Sequence, residues 1–406
     1  MSLSLALQNI DNSRQEMTQF MVDMLKIKAV NPDDGGSGEY QRAIFVQKWL
    51  ENLGGKVSRY DFADSRVAEG VRVNLTTVIE GADRSRTLWF AAHLDTVPEG
   101  SRDFWSTDPY DPVVKDGKIF GRGSEDNGQA IVSTLFVFKA LKALKARPTV
   151  NVGFAYVSDE ETGSKRGVIP MIEKNVFKPQ DMAIVPDTGS KDGSEIEVAE
   201  KSILWLKITT KGKQVHGALP SKGLNANRIG MKFALQVDEL LHSKYSATDD
   251  LFDPPASTFE PTKHELNVEN INTVPGLDVQ YFDCRILTRY KLMEVMKDIE
   301  TVKSKMENDT GAKIDLTPIQ LEENVDSTPV NCEVVQKLRT ALKELRGTEG
   351  KPVGIGGGTV GSYFRRKGIN TAVWSTLDDM AHQPNEYCHI DNLVNDAKVF
   401  VHVALN

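Results

Sequence analysis

Two histidines and a set of acidic residues stand at the ends of short apolar runs in this chain, and their types suit a metal centre. His93 and Asp95 close the run TLWFAAHLD. Residues two apart on a strand share a face, so the Asp95 carboxylate is expected to bond the far nitrogen of His93. Such a partner fixes the tautomer of a metal-binding imidazole. Asp126 lies in GRGSEDNGQ, a glycine-rich turn that opens a helix. Ser158-Asp159-Glu160-Glu161 ends NVGFAYV, Asp187 ends DMAIV, and His382 follows TAVWST and LDDMA. Each group sits at or just past the carboxyl end of an expected strand. In an open α/β sheet, ligands bind in the crevice outside those ends. The donors His93, Asp126, Glu161, Asp187 and His382, with no cysteine among them, suit zinc, cobalt or manganese.

Each signal alone is weak. A lone strand histidine is more often structural, Asp-Glu-Glu is usually a solvated turn, and Asp126 could simply cap a helix. Their joint occurrence at successive strand ends carries the argument. His242, His264, His389 and His402 read as surface or core residues.

The elements that must position these groups come from periodicity. FMVDMLKIKAV and AIFVQKWLENLG carry helical spacing on either side of the breaker NPDDGGSG. VRVNLTTVI, TLWFAAHLD, NVGFAYVSD and DMAIVPD read as strands, and IVSTLFVFKALKAL as a buried helix. This alternation argues an α/β fold with a central mixed sheet flanked by helices. Around Ala199 the texture changes. ILWLKITTKGK, VQYFDCRIL and AKIDLTPI alternate like antiparallel strands, separated by the helices NRIGMKFALQVDELLHSKY and YKLMEVMKDIETVKSKMEN. After Glu323 come the helix VNCEVVQKLRTALKEL, the loop GIGGGT, the helix SYFRRKG and the strand TAVWST. A first domain, residues 1–199 and 320–406, interrupted by an α+β insert over 200–319, fits this order.

Composition narrows the class. At 406 residues the chain exceeds one ordinary domain. Its net charge of −8 disfavours nucleic acid and anionic membrane as partners. Cys284, Cys332 and Cys388 are scattered and odd in number, which reads as reduced thiols. No run approaches the roughly 18 apolar residues of a membrane helix, and the start lacks the basic region of a secretory signal. A cytoplasmic protein is expected.

At the motifs AAHLDTVPEG, DPVVKDGKIFGRGSEDNGQ, VSDEETGSKRG, VPDTGS, VHGALPSKGLNA and DDMAHQPNE, the sequence resembles the co-catalytic zinc metallopeptidase and deacylase family. That group includes acetylornithine deacetylase, succinyl-diaminopimelate desuccinylase, aminoacylase, carboxypeptidase G and carnosinase-type dipeptidases, and the likeness covers nearly the whole chain. It implies that His93 and Asp187 bind one metal, Glu161 and His382 the other, and that Asp126 bridges both. It implies Glu160 as general acid/base and Asp95 as support for His93. His216, in HGALP, resembles the family histidine that reaches a neighbouring subunit's site and steadies the oxyanion. Asn272, Arg285, and Gly358 with Thr359 of GGGTVG match positions that hold substrate. A homodimer through the insert, acting as a dimerisation and lid domain, is implied by the same likeness.

Three departures bear on substrate. Asp126-Asn127-Gly128 stands where many deacylases read Asp-Met-Lys-Gly, and Tyr363 stands where an arginine is frequent. Asp187 matches the family's aminopeptidases and dipeptidases, whereas its deacylases more often carry glutamate there. The implied reaction is di-metal hydrolysis of the amide bond of a small carboxylate-bearing N-acyl amino acid, of the desuccinylase or deacetylase kind. The alternative is a metallo-dipeptidase or carboxypeptidase on short peptides. Three rival classes have less support. Gly356–Gly361 formally fits GxGxxG, but only KPVGI precedes it and it falls late in the chain. A scaffold that had lost its site would lack ligands, and serine hydrolysis lacks a G-x-S-x-G elbow.

Overall fold

Strands that are apolar on both faces must be covered on both faces, and the strand Asp83–His93 shows how this chain does it. In the computed structural model, which describes residues 3–406, Trp89 and Ala91 pack into a cluster with Phe177 and Phe364. Phe90, pointing the other way, packs against Phe154 and Phe400. Eight strands lie in the spatial order Val57–Ala63, Val71–Ile79, Val150–Val157, Asp83–His93, Met182–Val185, Asn370–Val373, Glu195–Glu200, Lys351–Ile355. The four from Val150–Val157 to Asn370–Val373 run parallel. Val71–Ile79 is antiparallel to both its neighbours, Val57–Ala63 and Val150–Val157, and Glu195–Glu200 is antiparallel to Asn370–Val373. The mixed sheet flanked by helices is therefore present. Parallel strands end at one rim, so His93, the Asp159–Glu161 turn, Asp187 and the segment leading to His382 all leave the sheet on the same side.

The helix Ala130–Ala143 buries eleven of its fourteen residues, which is why its sequence shows almost no polar face. It packs against Ile390–Leu405, a C-terminal helix that the sequence reading did not find. The helix Leu3–Asn12 and the strands Val57–Ala63 and Thr258–His264 were also not anticipated. KPVGI does form a strand, Lys351–Ile355, at the sheet's edge.

The chain divides into two compact units. One comprises residues 3–198, 328–353 and 359–406, and the other 199–327 with 354–358. The boundary expected at 319/320 falls inside the strand Lys313–Glu322, which continues the second unit's sheet. In that unit four antiparallel strands lie in the order Thr258–His264, Leu277–Ile286, Ser202–Lys211, Lys313–Glu322. The helices Ala226–Lys244 and Leu292–Thr310 cover one face, burying Phe233, Val237, Val295 and Ile299 against Leu204, Leu206, Phe282 and Cys284. Cys284, Cys332 and Cys388 are free thiols, the first and last of them buried. Among the described residues no helix is long and apolar enough to cross a membrane.

Candidate metal centre

The loop after the strand Lys118–Phe120 delivers Asp126. Gly123 adopts φ 82, and a Cβ there would lie 2.6 Å from Thr96 Cγ2, so the tight entry requires glycine. Asp126 then leaves helical geometry (φ −113, ψ 98) before the helix begins at Ala130. This aims its carboxylate at the rim rather than at the helix N-terminus. Its Oδ1 lies 2.8 Å from His93 Nε2 and its Oδ2 3.2 Å from His382 Nε2. His93 Nε2 is also 3.4 Å from Asp187 Oδ1, and His382 Nε2 is 3.2 Å from Glu161 Oε2. One carboxylate thus stands between two imidazoles, each with a further acid of its own. Ligand atoms of His93, Asp126 and Glu161 fall within 4.8 Å of one another, and so do those of His93, Glu160 and Asp187.

The position of Asp95 differs from the expectation. Its carboxylate is 3.7 Å from His93 Nδ1, too far for a bond, and that nitrogen instead meets the Asp95 backbone carbonyl at 3.0 Å. The carboxylate accepts from the backbone N–H groups of Glu160 (3.0 Å) and Glu161 (3.2 Å) and from Asn31 Nδ2 (2.9 Å). Alternation along an extended strand placed both side chains on one face. The chain leaves the sheet after His93, so the rule lapses one residue too early. Asp95 therefore holds the tautomer of His93 through its main chain and the Glu160–Glu161 turn through its side chain.

Asn127, which departs from the family motif, ties the Asp126 loop to two neighbouring ligand residues. Its Nδ2 donates to Asp187 Oδ1 at 2.7 Å, while its Oδ1 accepts from the His93 backbone at 3.3 Å. Behind the Glu160 turn lies a buried ion network. Arg72 grips both oxygens of Glu39 and reaches Asp159 Oδ1 at 3.2 Å. Asp159 takes a left-handed conformation, φ 64, to start the turn. Nothing periodic in the sequence marks these long-range partners.

Electrostatics agree with a site built for cations. Burial, with Asp187 and Glu161 close by, pushes the Glu160 carboxyl well above the usual range. Burial and the Asp126 charge push Glu161 up to about 7. Burial alone would raise Asp126, but hydrogen bonds from His382 and His93 hold it low. Bonds to Asp126 and Glu161 raise His382 to about 10. Burial opposes a proton on His93, yet Asp126 and Asp187 outweigh it and raise the imidazole well above its ordinary value. Protons shared between acids and imidazoles are what divalent cations displace on binding. Glu161 Oε1 is buried with no hydrogen-bond partner among the described residues. A carboxylate oxygen in that position is costly to leave unpaired, and a cation suits it. The residues fit divalent metal.

The remaining expected residues belong to the second unit or are already engaged. His216 is an exposed residue of the second unit, on a two-residue strand paired with Thr273–Val274. Its Nδ1 accepts from the Ala218 N–H at 3.0 Å, so its proton sits on Nε2. Asn272 is also exposed, and its carbonyl accepts from Gly217 N–H at 2.6 Å, tying it to the His216 turn. Arg285 spends two nitrogens on Asp283 (2.7 and 2.9 Å) and a third on the Gly356 carbonyl (2.8 Å). Thr359 is buried and caps the helix Val360–Arg366, its Oγ1 accepting from Gly361 N–H, and Gly358 beside it is exposed.

The family model for peptidase family M20/M25/M40 matches residues 89–406. An uncharacterised metallohydrolase of Methanocaldococcus jannaschii is 39% identical over 406 residues, covering 96% of this chain and 98% of its own. A succinyl-diaminopimelate desuccinylase of a Nitratiruptor species is 26% identical, covering 91% of this chain and 94% of its own. The crystal structure of human carnosine dipeptidase 1 shares the fold, with a TM-score of 0.74 at 17% identity over 100% of this chain and 98% of that one. The chain therefore belongs to peptidase family M20/M25/M40 and is a metal-dependent enzyme that hydrolyses amide bonds.

Proposed function

We propose that this enzyme holds two divalent cations, most readily zinc with cobalt or manganese as substitutes, and removes the acyl group from a small carboxylate-bearing N-acyl amino acid. The observation that carries the reading is Asp126, whose two oxygens face two different imidazoles at 2.8 and 3.2 Å. In this reading His93 and Asp187 complete one cation site and Glu161 and His382 the other. When bound, the cations acidify water and polarise the scissile carbonyl.

Glu160 takes the proton of the attacking water and returns it to the leaving amine. Its raised affinity for a proton suits the second half of that task. Asp95 fixes the Glu160 backbone, and Glu161, next in the turn, bonds His382, so the two adjacent glutamates divide the labour. His216 carries its proton on Nε2, the donor that a developing oxyanion needs. It serves the site of a neighbouring subunit in a homodimer formed through the second unit. Asn272, tied to that turn through the Gly217 N–H, contacts the substrate carboxylate. Arg285, already bound to Gly356, steadies the loop that carries Gly358 and Thr359 rather than gripping substrate bidentately. A cytoplasmic location fits small metabolites of this kind.

Asp187, an aspartate where deacylases more often carry glutamate, favours a second reading, a metallo-dipeptidase. A hydrolysis screen of the zinc- or cobalt-loaded protein decides between them. It should cover N-succinyl and N-acetyl amino acids and dipeptides, each beside its C-terminal carboxamide analogue. The proposal expects the N-acyl amino acids to be fastest and the carboxamides to be slow. Faster cleavage of dipeptides would support the second reading, and equal rates on acid and carboxamide would remove the carboxylate requirement.

A further inference from the structure

Two buried glutamates join the loop that carries Asp126 to the turn that carries His382, and each comes from the opposite partner. Glu386, fully buried, follows the His382 turn and accepts four hydrogen bonds. Arg122 Nη1 (2.7 Å) and Gly123 N–H (2.8 Å) meet its Oε2, and the N–H groups of Glu125 (2.9 Å) and Asp126 (3.1 Å) meet its Oε1. Those last two donors lie in the first turn of the segment Ser124–Gln129, where N–H groups have no acceptor within the helix, and Asp126 has in addition left helical geometry. In return Glu125, 5% exposed, reaches into the His382 turn. Its Oε1 accepts from Asp378 N–H at 2.7 Å and its Oε2 from Met380 N–H.

The turn needs such an anchor. Asp379, His382 and Asn385 all have φ between 60 and 62, a conformation that side chains disfavour, and the His382 side chain is 56% exposed. Chain connection alone does not require these glutamates. The strands Lys118–Phe120 and Tyr387–His389 already pair residue for residue just behind them. The two carboxylates act beyond that pairing, where Asp126 and His382 sit.

We infer that Glu125 and Glu386 are positioning residues that set the distance between Asp126 and His382, Glu125 fixing the affinity of the Glu161–His382 cation site and Glu386 that of both sites. The inference rests on the reading of Asp126 and His382 as ligands. The hydrogen bonds of the Glu125 carboxylate go to the His382 turn, so its loss acts on the Glu161–His382 site and spares the His93–Asp187 site. Glu386 holds the backbone of the shared ligand, so its loss acts on both.

Chelated wild type, Glu125→Ala and Glu125→Gln are titrated with zinc alone by calorimetry, with thermal melts run in parallel. Glu125→Gln keeps the size and one acceptor oxygen, which guards against an alanine variant that fails to fold. Wild type should bind two cations. Glu125→Ala should keep one at wild-type affinity and weaken the other by about 10–100-fold, the usual effect of losing a residue that orients a ligand. Glu125→Gln should fall between, and excess zinc should restore turnover in both. Two wild-type sites with unchanged affinities in both variants would overturn the inference, as would equal weakening of both sites. A wild type that binds fewer than two cations would instead refute the ligand assignment, and the inference with it.

Discussion

Replacing Asp95 by asparagine exchanges one carboxylate oxygen for an NH2 group and leaves the backbone carbonyl that holds His93 in place. The carboxylate serves three donors: Glu160 N–H on Oδ1, and Glu161 N–H and Asn31 Nδ2 on Oδ2. The new amide has one oxygen. If it stays on the Glu161 and Asn31 side, its nitrogen faces the Glu160 N–H and a donor meets a donor. A hydrogen bond to a charged acceptor is worth about 1.5–3 kcal/mol, and this one orients the residue that moves the proton. Since 1.36 kcal/mol is tenfold in rate, Asp95→Asn should lower kcat by roughly one to two decades if the whole loss falls on Glu160. Zinc content should hold, because His93 Nδ1 bonds the carbonyl at 3.0 Å and not the carboxylate at 3.7 Å. The assay is kcat at saturating zinc beside elemental analysis of the same samples. A variant that loses zinc while its remaining loaded fraction turns over normally would refute this account. That result would return the Asp95 carboxylate to His93.

Glu160→Gln should lose roughly 10²–10⁴-fold in turnover with zinc content near that of wild type, whereas Glu161→Gln should weaken one cation; equal metal loss in both, with turnover kept in the first, would reverse the two roles. Without cations Glu161, raised from 4.5 to about 7, and His382, raised from 6.5 to about 10, bind more protons folded than unfolded. Cation-free stability should therefore fall as pH rises through both intervals, and the Tm gain from zinc should grow between about pH 6 and about pH 8; a gain that shrinks over that range would contradict the assignment. His216→Ala mixed with Glu160→Gln under subunit exchange should regain activity towards about a quarter of wild type if sites are shared across a two-fold axis. No recovery with exchange confirmed would confine His216 to its own chain or to no role.

Much of the scaffold was legible because it follows from periodicity. The runs ending at His93, Val157 and Val185 are continuous and apolar, and each becomes a parallel strand whose carboxyl end opens on one rim. The helix Ile390–Leu405 was not legible. Its second half, VFVHVAL, is rich in valine and resembles a strand, and the helical state is supported by packing against Ala130–Ala143, Leu3–Asn12 and Glu333–Arg346. At the site, residue types and strand ends were enough to nominate the donors. Their second layer was not readable. Glu386 stands 260 residues from Asp126 in sequence and Arg72 stands 87 from Asp159. The Asp95 expectation erred because pattern rules describe strands, and the chemistry lies one residue past where the strand stops.

The central claim is that one carboxylate, Asp126, is shared by two cation sites. Elemental analysis of wild type and Asp126→Ala, both purified without chelator and confirmed as folded, tests it most directly. The account predicts about two divalent ions per chain in wild type and almost none in the variant. A folded Asp126→Ala protein that still carries its full complement would contradict it.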